Sequence, residues 1–172
     1  MKEVVYQGKF LNMAKEGRWE FCERVKDTAA AMIFACTPDN RVLLVEEFRP
    51  PVGRRCLCFP AGLVGDESPE SAAAAANREL EEETGYTAAR MEYLFTGPSS
   101  PGLTSEMIAF FLASGLSRVS QGGGVEGEDI TVHEVPMDSI DSWLAQRERE
   151  GVLIDARIYA GIHFLQRAQH KA

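Results

Sequence analysis

Arg78-Glu79-Leu80-Glu81-Glu82-Glu83-Thr84-Gly85-Tyr86 is the stretch that decides how this chain is read. A helix turns by about 100° per residue, so Glu83 falls about 40° to one side of Glu79 and Glu82 about 60° to the other. Glu81 points away. Three carboxylates therefore crowd one face, at a spacing where each like-charge pair costs a helix a few tenths of a kcal/mol, on the order of 0.3. An isolated acidic run is usually a solvated face, but the surroundings of this one argue against that. Upstream, Phe59-Pro60-Ala61-Gly62-Leu63-Val64-Gly65 is rich in turn formers. Ser68-Pro69 offers an N-cap and a first-turn proline, an alanine-rich run follows, and Gly85 offers a C-cap. The pattern predicts loop, helix and loop with inward carboxylates. Such a platform suits hard divalent cations, which prefer oxygen ligands, and the phosphates they bind.

The stretch resembles the box of the Nudix hydrolases, which reads Gly, five residues, Glu, seven residues, Arg-Glu-apolar-any-Glu-Glu-any-Gly-apolar. Arg78 to Tyr86 matches, and Glu70 stands in register before Arg78. The first glycine departs from the pattern: Val64 occupies its place, with Gly62 too far upstream and Gly65 too close. The first glutamate of the box is therefore either Glu67 or Glu70. The resemblance implies an α/β fold, a Nudix-type α/β/α sandwich with a mixed sheet and the box on its loop-helix-loop. It also implies Mg²⁺ or Mn²⁺, two or three ions per site, with Glu79, Glu82, Glu83, Ala61 and Glu70 as the metal set.

Composition sets the remaining bounds. The 172 residues suit one domain with a sizeable core, and the 45% hydrophobic and 26% charged fractions are those of an ordinary globular protein. A net charge of −8 argues against general nucleic-acid binding. An acidic chain that handles phosphate needs local cations, either metal ions or a few placed arginines. Cys22, Cys36, Cys56 and Cys58 include no Cys-x-x-Cys pair and read as reduced thiols. There is no signal-peptide pattern and no run of ~20 apolar residues, so the expectation is a cytoplasmic protein without a membrane span.

Along the chain, Val4 to Met13 reads as a hairpin around Gly8, and Trp19 to Val25 as a strand. Ala29 to Cys36 is a continuous apolar run, short enough for a buried strand. Thr37-Pro38-Asp39-Asn40 turns it into a strand from Arg41 to Phe48, which predicts a hairpin. Further strands are expected over Cys56–Phe59, Ala88–Phe95, Glu106–Ala113 and Ile130–Val135. Ser117 to Glu128, with Gly122-Gly123-Gly124, reads as a mobile loop rather than a phosphate cradle, because it lacks a strand-loop-helix setting. Asp138 and Asp155 are expected to cap two helices, ending near Gln146 and His170. His133 and His163 lack partners at metal-ligand spacing and read as structural.

Three flanking pieces are similar to the ADP-ribose pyrophosphatase branch of the Nudix hydrolases. They are Val45-Glu46-Glu47-Phe48-Arg49-Pro50-Pro51, Ser100-Pro101-Gly102 followed by Glu106, and Glu126-Gly127-Glu128-Asp129-Ile130-Thr131-Val132-His133. With Arg18-Trp19-Glu20 the resemblance covers nearly the whole of residues 1–172 as a single domain. It implies a homodimer to which the strands of residues 1–27 contribute. It implies a nucleoside diphosphate substrate contacted by Trp19, Arg49, Glu47, Pro101, Gly102 and Glu106. Arg49, at a proline break, is suited to grip phosphate in two-pronged fashion; Trp19 is suited to stack on a base. Arg78 is expected to pair with a glutamate of the box. Glu126 and Glu128 are candidates for the general base, with Glu126 favoured by the resemblance. The implied reaction is hydrolysis of ADP-ribose to AMP and ribose 5-phosphate. GDP-mannose or another nucleoside diphosphate sugar is the alternative within the enzyme class. A catalytically inactive nucleotide sensor is the alternative outside it, and such a sensor would have no need to keep Glu79, Glu82 and Glu83 together.

Overall fold

A computed structural model describes residues 1–26, 28–65 and 70–170. Its elements run β1 (Glu3–Gln7), β2 (Leu11–Glu16), β3 (Trp19–Arg24), β4 (Ala30–Ala35), β5 (Arg41–Arg49), β6 (Arg54–Cys58), β7 (Ala61–Leu63), α1 (Ala72–Thr84), β8 (Tyr86–Pro98), β9 (Met107–Arg118), β10 (Thr131–Pro136), α2 (Ile140–Arg149), β11 (Leu153–Ile154) and α3 (Arg157–Gln169). Three sheets result, ordered β1-β2-β3, β10-β5-β6-β11 and β7-β4-β9-β8. The two four-stranded sheets are mixed: β4 runs parallel to β9, and β11 parallel to β6. No helix among the described residues is long and apolar enough to cross a membrane.

Strand alternation sorts the core into two layers. On β4, Met32 and Phe34 face one side, while Ala31, Ile33 and Ala35 face the other. On β9, Ile108 and Phe110 join the first group, and Ala109, Phe111 and Ala113 the second. The first layer is closed by Ile140 and Leu144 of α2 and by Ile158, Ile162 and Leu165 of α3. The second is closed by Ala76 and Leu80 of α1. On that second face Ala31, Ala35, Ala109 and Ala113 alternate with the larger Ile33 and Phe111 under the helix. Helices thus cover both faces of sheets whose strands are apolar on both sides, which is the expected α/β/α sandwich.

Several expectations need correcting. β4 and β5 are not a hairpin: each enters a different sheet, and the single bridge Cys36–Val42 joins them. The cap of α1 is Ser71, whose hydroxyl accepts from the Ala74 N–H, so the helix begins beyond Ser68-Pro69. Ser68, Pro69 and Glu67 lie outside the described residues. Asp138 sits in a 3₁₀ turn and does not cap α2. Asp155 does accept from the Arg157 N–H at the start of α3, at 2.8 Å. Gly85 ends α1 in the left-handed conformation (φ 77°), with its N–H on the Glu81 carbonyl. All four cysteines are free thiols.

Candidate functional site

The last two turns of α1 present Glu79, Glu82 and Glu83 toward β7. Arg78 organises them. Its Nη1 donates to Glu79 and to Glu82, each at 3.0 Å, and its Nη2 donates to Glu70 at 2.9 Å. The expected pairing of Arg78 with box glutamates is therefore present, and Glu70 belongs to the same network. Glu83 is different. It is 6% exposed, and its Oε2 accepts from the Ala61 N–H at 3.1 Å. Burial pushes its carboxyl well above the ordinary carboxylate range, and the charges of Glu79, Glu47 and Glu128 push it further. Gly62 lies against Glu79, and a Cβ there would stand 1.9 Å from the Glu79 Cδ. The β7 loop is thus held at backbone distance from the acidic face.

A cleft of about 580 Å³ opens beside this face, lined among others by Ala61, Gly62, Arg49, Glu106, Arg24 and Arg157. Two candidates from the sequence, Arg49 and Glu106, meet here, next to Ala61, which the resemblance counts among the metal ligands. Arg49 pairs with Glu47, so the strand end that carries both leads from the cleft to Glu83. Arg24 and Arg157 were not singled out from sequence. Arg24 pairs with Glu106, a contact spanning 82 residues that no local spacing reveals. Arg157 forks onto Asp155, whose carboxyl is held below its usual value by that hydrogen bond despite the opposing effect of burial. The Asp155-x-Arg157 pair at the start of a helix was the one available local signal. Cys56 and Cys58 line the same cleft. Burial pushes the Cys58 thiol up to about 12, which disfavours the nucleophilic thiolate.

Trp19, Pro101 and Gly102 form a second group, lining a shallow hollow of about 270 Å³ with Glu16 and Thr104. They are together because the loop after β8 is stitched to β3: the Cys22 N–H donates to the Leu103 carbonyl and the Ser105 N–H to the Cys22 carbonyl. Trp19 is 54% exposed. Within one chain this hollow and the cleft share no lining residue.

The loop from Val119 to Ile130 is built rather than loose at its entry. Gly122, Gly123 and Gly124 all have positive φ. The Gly123 and Gly124 amides donate to the Glu83 and Glu82 carbonyls at 2.8 and 3.0 Å. A Cβ at Gly122 would stand 2.3 Å from the Thr84 carbonyl carbon. The triple glycine is therefore neither a phosphate cradle nor a mere flexible link. It caps the free carbonyls at the end of α1. Beyond it, Glu128 accepts from the Val125 N–H and lies near enough for its charge to reach Glu83. Glu126 is exposed at the tip of the loop.

Among the described residues, no three His, Cys, Asp or Glu side chains gather around one point. Arg78 holds Glu79 and Glu82 to itself, apart from Glu83. The donor set nonetheless fits a hard divalent cation. It is all oxygen, and its buried member Glu83 is surrounded by like charge. His133 and His163 take no part: His133 lies 3.0 Å from Glu46, and His163 packs edge-on against Phe164.

Comparison with known proteins places the whole chain rather than its individual residues. The NUDIX domain family matches residues 26–154. The chain is 33% identical over 173 residues to the ADP-ribose pyrophosphatase of Bacillus subtilis, covering 96% of this chain and 90% of the relative. It is 34% identical over 149 residues to the GDP-mannose pyrophosphatase of Yersinia enterocolitica, covering 81% and 76% respectively. A solved structure described as an ADP compounds hydrolase has the same fold, with a TM-score of 0.75 at 23% identity over 99% of this chain and 92% of that one. The match to the family spans most of the chain, and this protein belongs to the NUDIX domain family.

Proposed function

We propose that this enzyme hydrolyses the pyrophosphate bond of nucleoside diphosphate derivatives, with ADP-ribose, cleaved to AMP and ribose 5-phosphate, as its preferred substrate. One observation carries the reading: the acidic face of Glu79, Glu82 and Glu83 adjoins a cleft lined by Arg49, Arg24 and Arg157. Carboxylates for a cation and guanidiniums for phosphate are the two charge types that a pyrophosphate linkage requires. Preference for ADP-ribose is supported by the similarity to the Bacillus subtilis protein across nearly all of both chains. The Yersinia enterocolitica relative supports GDP-mannose as the second reading.

Glu79, Glu82 and Glu83, with Glu70 and the backbone of Ala61 beside them, would hold Mg²⁺ or Mn²⁺. Bound there, such ions neutralise phosphate charge and lower the pKa of attacking water. Arg49 is placed to orient a phosphate in the cleft. Glu128, already near Glu83, adds negative charge to the cation site. Glu126 is exposed and uncommitted at the loop tip, so it is the carboxylate able to swing in and take the proton from water. Trp19, Pro101 and Gly102 offer a base-stacking surface that shares no lining residue with the cleft of the same chain. A homodimer in which the β1-β2-β3 sheet sits against a second copy would bring that surface to the cleft. The exposed Val4, Tyr6 and Leu11 of that sheet, with Phe10 in the connection between its first two strands, support such an interface. Free cysteines fit a reducing cytoplasm. The test is a substrate panel with Mg²⁺ and Mn²⁺ that follows AMP, GMP and phosphate release. Product from no nucleoside diphosphate derivative would favour the inactive sensor.

A further inference from the structure

Glu46 precedes Glu47 on β5 and points to the opposite face, against α2. It is 3% exposed. Arg55 Nε donates to it at 2.7 Å, Arg147 Nη2 at 2.6 Å, and His133 Nε2 lies 3.0 Å away. Arg55 Nη2 also donates to the Glu46 carbonyl at 2.9 Å. A guanidinium gripped at Nε and Nη2 has its plane fixed, so its remaining reach is fixed too. That reach ends on Asp129 Oδ2, 3.0 Å from Nη1, and on Thr131 Oγ1, 3.1 Å from Nη2. These residues are the exit of the Val119–Ile130 loop and the first residue of β10. Because the strands run β10-β5-β6, Arg55 on β6 crosses all of β5 to hold them.

At its other end the loop is moored to α1 by the Gly123 and Gly124 amides. Val125 to Glu128 is the span between the two moorings. The Asp129 side chain is 87% exposed. An exposed ion pair contributes little to stability. What it does fix is the position of the chain next to Glu128.

We propose that Arg55 is a positioning residue: anchored on buried Glu46, it holds the exit of the Glu126–Glu128 loop on the sheet and so sets where those carboxylates stand over the box helix. The inference rests on the proposed hydrolytic role of that loop. The buried grip of Arg55 on Glu46 makes Arg55 itself a risky variant for folding, so Asp129→Ala is the primary test. With ADP-ribose and Mg²⁺, it is expected to lower kcat about tenfold, since displacements near 1 Å cost up to about 10². KM should move less than about twofold, and the melting temperature should hardly change. In a Glu126→Gln background the same change should cost less than about twofold, because a positioning residue acts through the base it positions. Arg55→Lys should reproduce the loss, since a point donor cannot bridge Glu46, Asp129 and Thr131 together. Unchanged kcat in Asp129→Ala, or a full additional loss in the Glu126→Gln background, overturns the proposal. Hydrogen exchange provides an arm independent of activity. The Val125 and Glu128 amides, bonded to the Glu128 carboxylate and the Val125 carbonyl, should exchange several-fold faster in Asp129→Ala while those of α1 keep their rates; unchanged exchange overturns the mooring whatever the substrate. Failure of the wild type to hydrolyse any nucleoside diphosphate derivative would refute the proposed function instead, leaving hydrogen exchange to decide the mooring.

Discussion

Replacing Gly62 by alanine tests the link between loop geometry and chemistry with a single methyl group. The new Cβ would stand 1.9 Å from the Glu79 Cδ and 2.1 Å from its Oε1, where ordinary contact begins at 3.4 Å. Either the carboxylate or the β7 loop must retreat by about 1.5 Å. Gly62 has no positive φ, so the backbone itself accepts alanine. The obstacle is the end of a glutamate side chain, which puts the fold penalty near the low end of overpacking, about 1 kcal/mol. For a domain of this size that is a melting-point loss of about 2–4 °C. Activity should suffer far more. A ligand displaced by more than 1 Å costs on the order of 10² in kcat, or about 2.7 kcal/mol of barrier. Steady-state hydrolysis at saturating Mg²⁺, together with a thermal melt, separates the two effects. The half-saturating Mg²⁺ concentration should rise as well, because Glu79 is the group displaced. Wild-type turnover in Gly62→Ala would refute the argument that Glu79 works from the position packed against Gly62.

Three further outcomes are expected. Glu82→Gln should keep the fold and lower kcat by roughly 10²–10⁴, measured at saturating Mg²⁺; near-normal turnover would remove Glu82 from the metal set. Glu126→Gln should lower kcat by about 10² with little change in metal half-saturation, while Glu128→Gln, whose charge reaches Glu83, should mainly shift metal half-saturation; a metal titration of both variants distinguishes the assignments, and an exchange of the two phenotypes reverses them. Burial holds the folded-state pKa of His133 below its usual 6.5, outweighing the opposing pull of Glu46. The unfolded chain then binds a proton near and below pH 6.5 that the folded chain refuses, so this contribution is whole above that value and shrinks as pH falls through it. Glu46, held below 4.5 by Arg147 and Arg55 against burial, adds a further loss only at lower pH. Urea midpoints should therefore drop between about pH 7.5 and 5.5 in the wild type and less so in His133→Gln.

Much of this site could be read locally. The i, i+3, i+4 carboxylates and the C-cap at Gly85 are properties of a dozen consecutive residues, and the structure contains both. The positions of β4, β5 and β9 followed from apolar runs because those strands are buried on both faces. What sequence did not disclose is pairing at a distance. β4 and β5 look like a hairpin across Thr37–Asn40, yet the strands that pair with each lie far along the chain, and those pairings override the turn. The Arg24–Glu106 and Arg55–Asp129 contacts join distant segments and have no local signature. The cap of α1 is Ser71, three residues past Ser68; the two serines are equally good caps on chemistry alone, and sequence does not separate them. The triple glycine looked like a flexible link because its hydrogen-bond partners, the carbonyls of Glu82 and Glu83, are remote in sequence.

On the function proposed above, the acidic face of α1 and the neighbouring arginine cleft hydrolyse a nucleoside diphosphate derivative with a divalent cation. The most direct measurement is initial-rate hydrolysis of ADP-ribose and GDP-mannose by the wild type with Mg²⁺, with AMP, GMP and sugar phosphate quantified. AMP and ribose 5-phosphate should appear in equal amounts, activity should be lost with chelator, and kcat/KM should be higher for ADP-ribose than for GDP-mannose. A GDP-mannose kcat/KM ahead by about tenfold, some 1.4 kcal/mol of transition-state preference, would contradict the substrate assignment. Absence of product from both substrates with Mg²⁺ or Mn²⁺ would contradict hydrolysis at this site altogether.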